Sequence, residues 1–281
     1  MLIHHIRNAT LVVSLGAHRL LVDPMLSDVG AMPGFKMFGG GRRRNPLVAL
    51  PANTQSVLDS VTGVVITHEH PDHFDAPALA WIKRKNLPVW GNGIDLPNLR
   101  RKGLDARNIA EGIDAIGVEV ISSRHGQGLF GWLMGPVAGY YFTFPDEPSL
   151  YITGDSVLTA NVMDALRRLG PDVVVVPAGA ANMGIGGDIL FSLDELVEVV
   201  RASPGQVVLN HLEALDHCPT TRAGLSARMD AEGLGGRVFI PRDGEKLTFE
   251  RPAHAQQGRV GPAKPCKPGI QKWLTQGFAG T

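Results

Sequence analysis

Cysteine is nearly missing from this chain: Cys218 and Cys266 are the only two in 281 residues. Two thiols cannot build the disulfide framework of a small secreted domain, and their spacing fits no zinc ribbon. Aromatic residues are sparse, at 6%. Neither sign of charge is in excess, since Lys+Arg and Asp+Glu both number 27. A dedicated nucleic-acid binder usually carries a basic surplus, so no nucleic-acid partner is expected. No apolar run approaches the roughly 18 residues that a membrane span requires. The opening MLIHHIRNATLVV lacks the basic segment and long apolar stretch of a secretory leader, which predicts a cytoplasmic protein. What the chain has in quantity is glycine (34), proline (20) and short apolar runs rich in β-branched residues. These predict an α/β fold large enough to bury a core without a disulfide or metal staple.

The runs alternate between strand and helix signals. Thr10–Leu15 and Arg19–Val22 read as a hairpin turning at Gly16-Ala17-His18, and Asp23-Pro24 ends it. Residues 27–51 carry three prolines and the run Gly39-Gly40-Gly41-Arg42-Arg43-Arg44, which is loop chemistry. Val61–Thr67 is a β-branched strand, followed by Asp75–Lys85, a helix with Asp75 as N-cap and Pro77 in its first turn. Further strands are expected at Val118–Ser122, Gly139–Phe144, Leu150–Thr153, Val173–Val176 and Gln206–Asn210, with helices at Ala160–Leu169 and Leu193–Arg201. This order suits sheets covered by helices within one domain. Past about Glu250 the chain turns Pro-, Gly- and Lys-rich, and residues 251–281 read as a tail, flexible or docked on a partner subunit through Trp273, Leu274 and Phe278.

The chemistry concentrates at the end of the Val61–Thr67 strand, where His68, His70, Asp72 and His73 fall within six residues. In an extended segment, residues two apart point the same way, so His68 and His70 can converge on one ion. Pro71 breaks the run, and Asp72 and His73 can face the same cavity from another angle and hold a second. Imidazole and carboxylate suit zinc, manganese or iron. Further ligands must come from elsewhere, and His125, Asp155 and His211 each stand where a strand ends, on a rigid base with an open side-chain direction.

Thr67-His68-Glu69-His70-Pro71-Asp72-His73 matches the T-H-x-H-x-D-H signature of the metallo-β-lactamase superfamily at every defined position, and His125, Gly154-Asp155-Ser156 and His211 follow in that family's order. The chain resembles this family over about residues 1–250. The resemblance implies a four-layer αββα sandwich, the metallo-β-lactamase fold, with two divalent transition-metal ions, zinc first and manganese or iron as alternatives. It further implies that His68, His70 and His125 hold one ion, that Asp72, His73 and His211 hold the other, and that Asp155 bridges them. Leu21-Val22-Asp23-Pro24 and Tyr151-Ile152-Thr153-Gly154-Asp155-Ser156 look most like the group containing L-ascorbate-6-phosphate lactonase and N-acyl-phosphatidylethanolamine phospholipase D. That group often shows Gly-His-Ala-Thr near its start, where this chain has Arg7-Asn8-Ala9-Thr10.

Two cations sharing one water give hydroxide near neutral pH, and a nearby carboxylate, Asp72 or Asp155, can pass its proton to a leaving group. The expected activity is hydrolysis of a small ester, lactone or phosphoester. His217 is read either as a substrate contact or proton donor, or as part of a helix start capped by Thr220. Asp23 is structural or orients a metal-bound histidine. Glu69 fills the variable slot, solvated or orienting. Arg42, Arg43 and Arg44 are either a solvated run or a clamp for an anionic small-molecule substrate. Ala180–Asp188 is a pocket wall or only a turn. His4, His5, His18 and His254 are assigned to the surface or to strand ends. A homo-oligomer is compatible with the tail. Competing readings are a di-iron redox protein, disfavoured by His70 where such members resemble a glutamate pattern, a nuclease, and a non-catalytic metal-binding protein.

Overall fold

A computed structural model describes residues 1–127, 131, 133–184 and 187–251. The expected tail beyond Arg251, with His254, Cys266, Trp273, Leu274 and Phe278, lies outside the described residues. The first sheet is built from β1 (Leu2–Arg7), β2 (Thr10–Leu15), β3 (His18–Val22), β4 (Gly63–Ile66), β5 (Val89–Gly91) and β6 (Ala106–Asn108). The second comprises β7 (Gly117–Arg124), β8 (Pro136–Thr143), β9 (Leu150–Ile152), β10 (Val173–Pro177), β11 (Gln206–Asn210) and β12 (Val238–Phe239). A last strand, β13 (Lys246–Thr248), returns to the first sheet and pairs with β1, giving the orders β13-β1-β2-β3-β4-β5-β6 and β12-β11-β10-β9-β8-β7. Both sheets are mixed: β3 to β6 and β9 to β12 run parallel, while the hairpin strands run antiparallel.

Alternation of side chains assigns each strand two apolar faces. In β10, Val173 and Val175 enter the core between the sheets, with Leu11, Val13, Leu20, Val65 and Tyr140. Val174 and Val176 face outward onto helices α4 (Ala160–Leu169), α5 (Leu193–Ala202) and α6 (Arg222–Ala231), meeting Val162, Leu196 and Leu225. On the first sheet, Val12, Leu21, Val64 and Ile66 pack outward against α1 (Thr54–Leu58), α2 (Ala76–Lys85) and α3 (Leu96–Arg101). The result is the expected αββα sandwich.

Local signals explain the helix boundaries. The Asp75 carboxylate accepts from Ala78 N at 2.9 Å and caps α2, while Asn86 ends it in a left-handed conformation. Ser192 and Glu195 form a reciprocal capping box on α5. The cap of α6 is Thr221, one residue later than expected. Strand β4 is also shorter than expected: Thr67 leaves the ladder because its amide and hydroxyl both donate to Asp23. His4 and His5, assigned to the surface or a strand end, are instead buried within β1, where strands pair on both sides.

Candidate metal centre

The segments carrying the candidate ligands leave the C-terminal ends of β4, β7, β9 and β11, all at one edge of the sandwich. His68 and His70 follow β4, His125 follows β7, Asp155 follows β9, and His211 follows β11. Two of these exits demand unusual backbone. Gly154 adopts φ +63°, and a Cβ there would stand 2.8 Å from the Ala138 carbonyl, so only glycine turns the chain sharply enough to aim Asp155 inward. His211 itself has φ +61°.

The structure brings all seven side chains together in two groups. His68, His70 and His125 form one, and Asp72, His73, Asp155 and His211 the other, with the ligand atoms of each group within 4.8 Å of one another. Asp155 Oδ2 stands between them, 3.5 Å from His125 Nε2, 3.1 Å from His73 Nε2 and 3.6 Å from His211 Nε2. Asp72 Oδ2 lies 3.4 Å from His211 Nε2. All except His70 are buried.

Surrounding groups aim these rings. His73 Nδ1 donates to Asp23 Oδ2 at 2.9 Å, which turns Nε2 toward Asp155. His125 Nδ1 donates to the Ile189 carbonyl at 2.8 Å, and His68 Nδ1 lies 3.0 Å from the Thr67 hydroxyl. Cys218 Sγ sits 3.6 Å from His211 Nδ1. His68 Nε2 is buried without a hydrogen-bond partner, a cost of order 1–3 kcal/mol that a cation would remove, and Nε2 of His73 and His211 face the Asp155 and Asp72 carboxylates. Imidazoles and two carboxylates converging on shared points form a donor set that fits divalent transition metals.

The electrostatics divide the same way. Burial pushes the pKa of His68, His70 and His125 down, that of His125 to about 4, so these rings stay neutral and able to ligate. Burial also opposes charge on His73, but Asp155, Asp23 and Asp72 overcome it and raise its pKa to about 10. His211 is likewise raised, chiefly by Asp155 against burial. Burial would raise Asp72 and Asp155, yet His73 and its neighbours hold both well below the ordinary carboxylate range. The acidic group therefore demands positive charge.

The remaining sequence candidates are distributed around this cluster. His217 is buried, its Nδ1 is unpartnered, and its ring meets Phe35 edge-on at 5.4 Å. Glu69 points away, accepting from Asn98 Nδ2 at 2.7 and 2.8 Å and pairing with Lys102. Arg42 Nε donates to Gly34 O at 3.0 Å, and Arg44 to Gly30 O and Ala31 O at 2.6 and 2.9 Å, so these guanidiniums stitch their own loop together. From Ala180–Asp188, Asn182 N donates to His217 O at 3.0 Å, while residues 185–186 lie outside the described residues.

Two residues with a part in the site escape sequence reasoning. Asn8, with φ +59°, donates from Nδ2 to the Asp72 carbonyl at 3.1 Å and accepts from His211 N at 2.9 Å. It ties two ligand segments to the β1–β2 turn; its position in Arg7-Asn8-Ala9-Thr10 was the available signal. Asp216 accepts from Phe35 N at 2.9 Å, Lys36 N at 3.2 Å, Arg43 N at 3.1 Å and Asn45 Nδ2 at 3.0 Å, latching the long loop beside His217.

Known proteins resemble this chain over most of its length. Residues 18–212 match the family model described as a beta-lactamase superfamily domain. UPF0173 protein YddR of Bacillus subtilis is 32% identical over 259 residues, spanning 89% of this chain and 100% of that protein. A solved isothiocyanate hydrolase from Delia radicum gut bacteria superposes with a TM-score of 0.82 at 30% identity, covering 89% of this chain and 100% of the other. A "possible metal-dependent hydrolase" from Veillonella parvula gives 0.83 at 30% identity, with 89% and 99% covered.

Proposed function

The chain belongs to the beta-lactamase superfamily domain family, and on that premise we propose that it is a metal-dependent hydrolase of small molecules. The observation that carries this reading is the convergence of buried imidazole and carboxylate donors from four separate strand ends into two adjoining groups. In this reading residues 1–250 form one hydrolase domain. His68, His70 and His125 would hold one divalent cation, Asp72, His73 and His211 a second, and Asp155 would be shared. Held by these residues, divalent cations would supply Lewis acidity, the chemistry that makes water a competent nucleophile near neutral pH. Asp72 or Asp155 takes the proton from water and returns it to the departing group. His217, beside the cluster and with Nδ1 unpartnered, would touch the substrate; burial lowers its pKa, and the neutral ring suits a hydrogen-bond contact better than proton donation. Asp23, Thr67 and the Ile189 carbonyl keep the rings in the productive tautomer.

Esters, lactones and phosphoesters all suit such chemistry, and the neighbour named an isothiocyanate hydrolase adds isothiocyanates. Elemental analysis of metal-supplemented protein is expected to give close to two transition-metal ions per chain, zinc before manganese or iron. Asp155→Ala is expected to lose most of the bound metal together with hydrolysis across a panel of esters, lactones, phosphodiesters and isothiocyanates. A folded wild type that binds no metal, or an Asp155→Ala variant with full activity, refutes the assignment.

A further inference from the structure

The methionines are distributed unevenly. Of the eight in the chain, Met25, Met32, Met37, Met134 and Met183 belong to one region beside the metal cluster. Four of them, with Phe35, pack around Ile189, Leu190 and Cys218; Met37 rides the same loop as Phe35. Ile189 is the residue whose carbonyl holds His125, and Cys218 lies against His211, so this apolar layer touches both ends of the ligand set.

The loop is fixed from beneath. Asp216 takes its four hydrogen bonds from residues 35–45, and the Asn45 side chain accepts the Asp216 amide at 2.9 Å. The next residue, His217, meets the Phe35 ring, and Phe38 N donates to the Met183 carbonyl at 3.0 Å. The Asp216 and Asn45 side chains are turned to the loop backbone, while Met37 and Phe38 are left 59% and 44% exposed beside the exposed Arg42, Arg43 and Arg44. The nearby guanidiniums of Arg42 and Arg44 are engaged with loop carbonyls. Held in place, the apolar and polarisable side chains of Phe35, Met37, Phe38 and Met183 fit a ligand group that is uncharged; methionine, with several rotatable bonds, accepts groups of varied shape.

We propose that the Asp216-latched loop and the Met134–Met183 side form the wall that binds an uncharged alkyl or aryl substituent of the substrate. Phe35 and Met183 contact that substituent, and Asp216 is a positioning residue that holds Phe35 against His217. This inference rests on the hydrolase reading above and gives that site its substrate class.

The test uses the full chain loaded with zinc and two series of 4-nitrophenyl esters, one with neutral alkanoyl groups of increasing length and one ending in a carboxylate. In the wild type, kcat/KM is expected to rise roughly three- to fourfold per added methylene in the neutral series, with the carboxylate-ended esters falling behind. Phe35→Ala and Asp216→Ala are expected to flatten that rise, mainly through KM, at wild-type metal content. Asp216→Asn, which keeps the three bonds to Oδ1 and loses the one from Arg43, is expected to fall between. Should Phe35→Ala fail to fold, the exposed pair Met37→Ser/Phe38→Ser serves in its place. A flat neutral series, faster turnover of the carboxylate-ended esters, or an unchanged slope in the folded variants overturns the proposal. If no ester is cleaved, the ester reading of the site fails by itself, and titration with the neutral dye Nile red decides the wall: saturable binding weakened at least about fivefold in the variants upholds it, and no saturable binding overturns it.

Discussion

Asn8 illustrates how one side chain can govern a centre it does not enter. Its amide holds the Asp72 carbonyl and its own carbonyl holds the His211 amide, so a shift of this residue moves two ligand segments at once. Asn8→Gly keeps the positive φ accessible and the backbone bond intact while deleting the side-chain bond. It is expected to weaken metal retention about 10-fold, within the usual range for groups that orient ligands, as read by titration with a competing chelator. Unchanged retention would show that Asn8 serves the turn alone. Asp23 works similarly through His73 Nδ1 and Thr67. Sequence reasoning reached Asp23 because it stands at a strand end before proline. It noted Asn8 only as a departure from a pattern, since the role depends on residues far along the chain.

Among the elements, α2 connects helix capping to the site. Asp75 accepts from Ala78 N through one oxygen and from Ser27 N, at 2.7 Å, through the other, joining the helix start to the root of the long loop. Asp75→Ala removes a cap worth about 1 kcal/mol and leaves a buried amide unpaired at about 1–3 kcal/mol. A combined loss of roughly 2–4 kcal/mol is expected in urea unfolding; a loss below about 0.5 kcal/mol would show that water replaces both bonds. The helices and longer strands were legible because period, caps and β-branched runs agreed, as at Ala160–Leu169 and Gln206–Asn210. Strands β5, β6, β12 and β13, of two or three residues, are too short to carry a period, and β1 was hidden by the paired histidines at its centre.

At the scale of the molecule, those histidines tie pH to stability. His4 Nε2 lies 3.1 Å from the Gly244 carbonyl, His5 Nε2 lies 3.3 Å from Asp243, and both pKa values are lowered from 6.5, chiefly by burial. The unfolded chain therefore takes up protons at a pH where the folded chain does not. Stability from these groups is present above about pH 6.5 and is lost as pH falls below it, at up to about 1.4 kcal/mol per pH unit for each histidine. His5→Asn is expected to make the decline of Tm between about pH 7 and pH 5.5 shallower; an equally steep decline would remove His5 from the account. The site was more legible than its supports. The signature around His68–His73 is local, and strand-end positions pointed to His125, Asp155 and His211. The latch at Asp216 and the packing of the arginine loop arise only from long-range contact, which leaves no local pattern to read.

The bracket at Asn8 also sets an order in time. During synthesis the β1–β2 turn and the His68–His73 segment leave the ribosome early, but the amide that Asn8 must receive belongs to His211, in the last third of the chain. Until that stretch emerges, the early histidines have neither their final neighbours nor the backbone tie that fixes them, and non-local contacts of this kind close late in folding. A ribosome-stalled fragment ending before residue 206 should therefore hold a divalent metal far more loosely than the released protein.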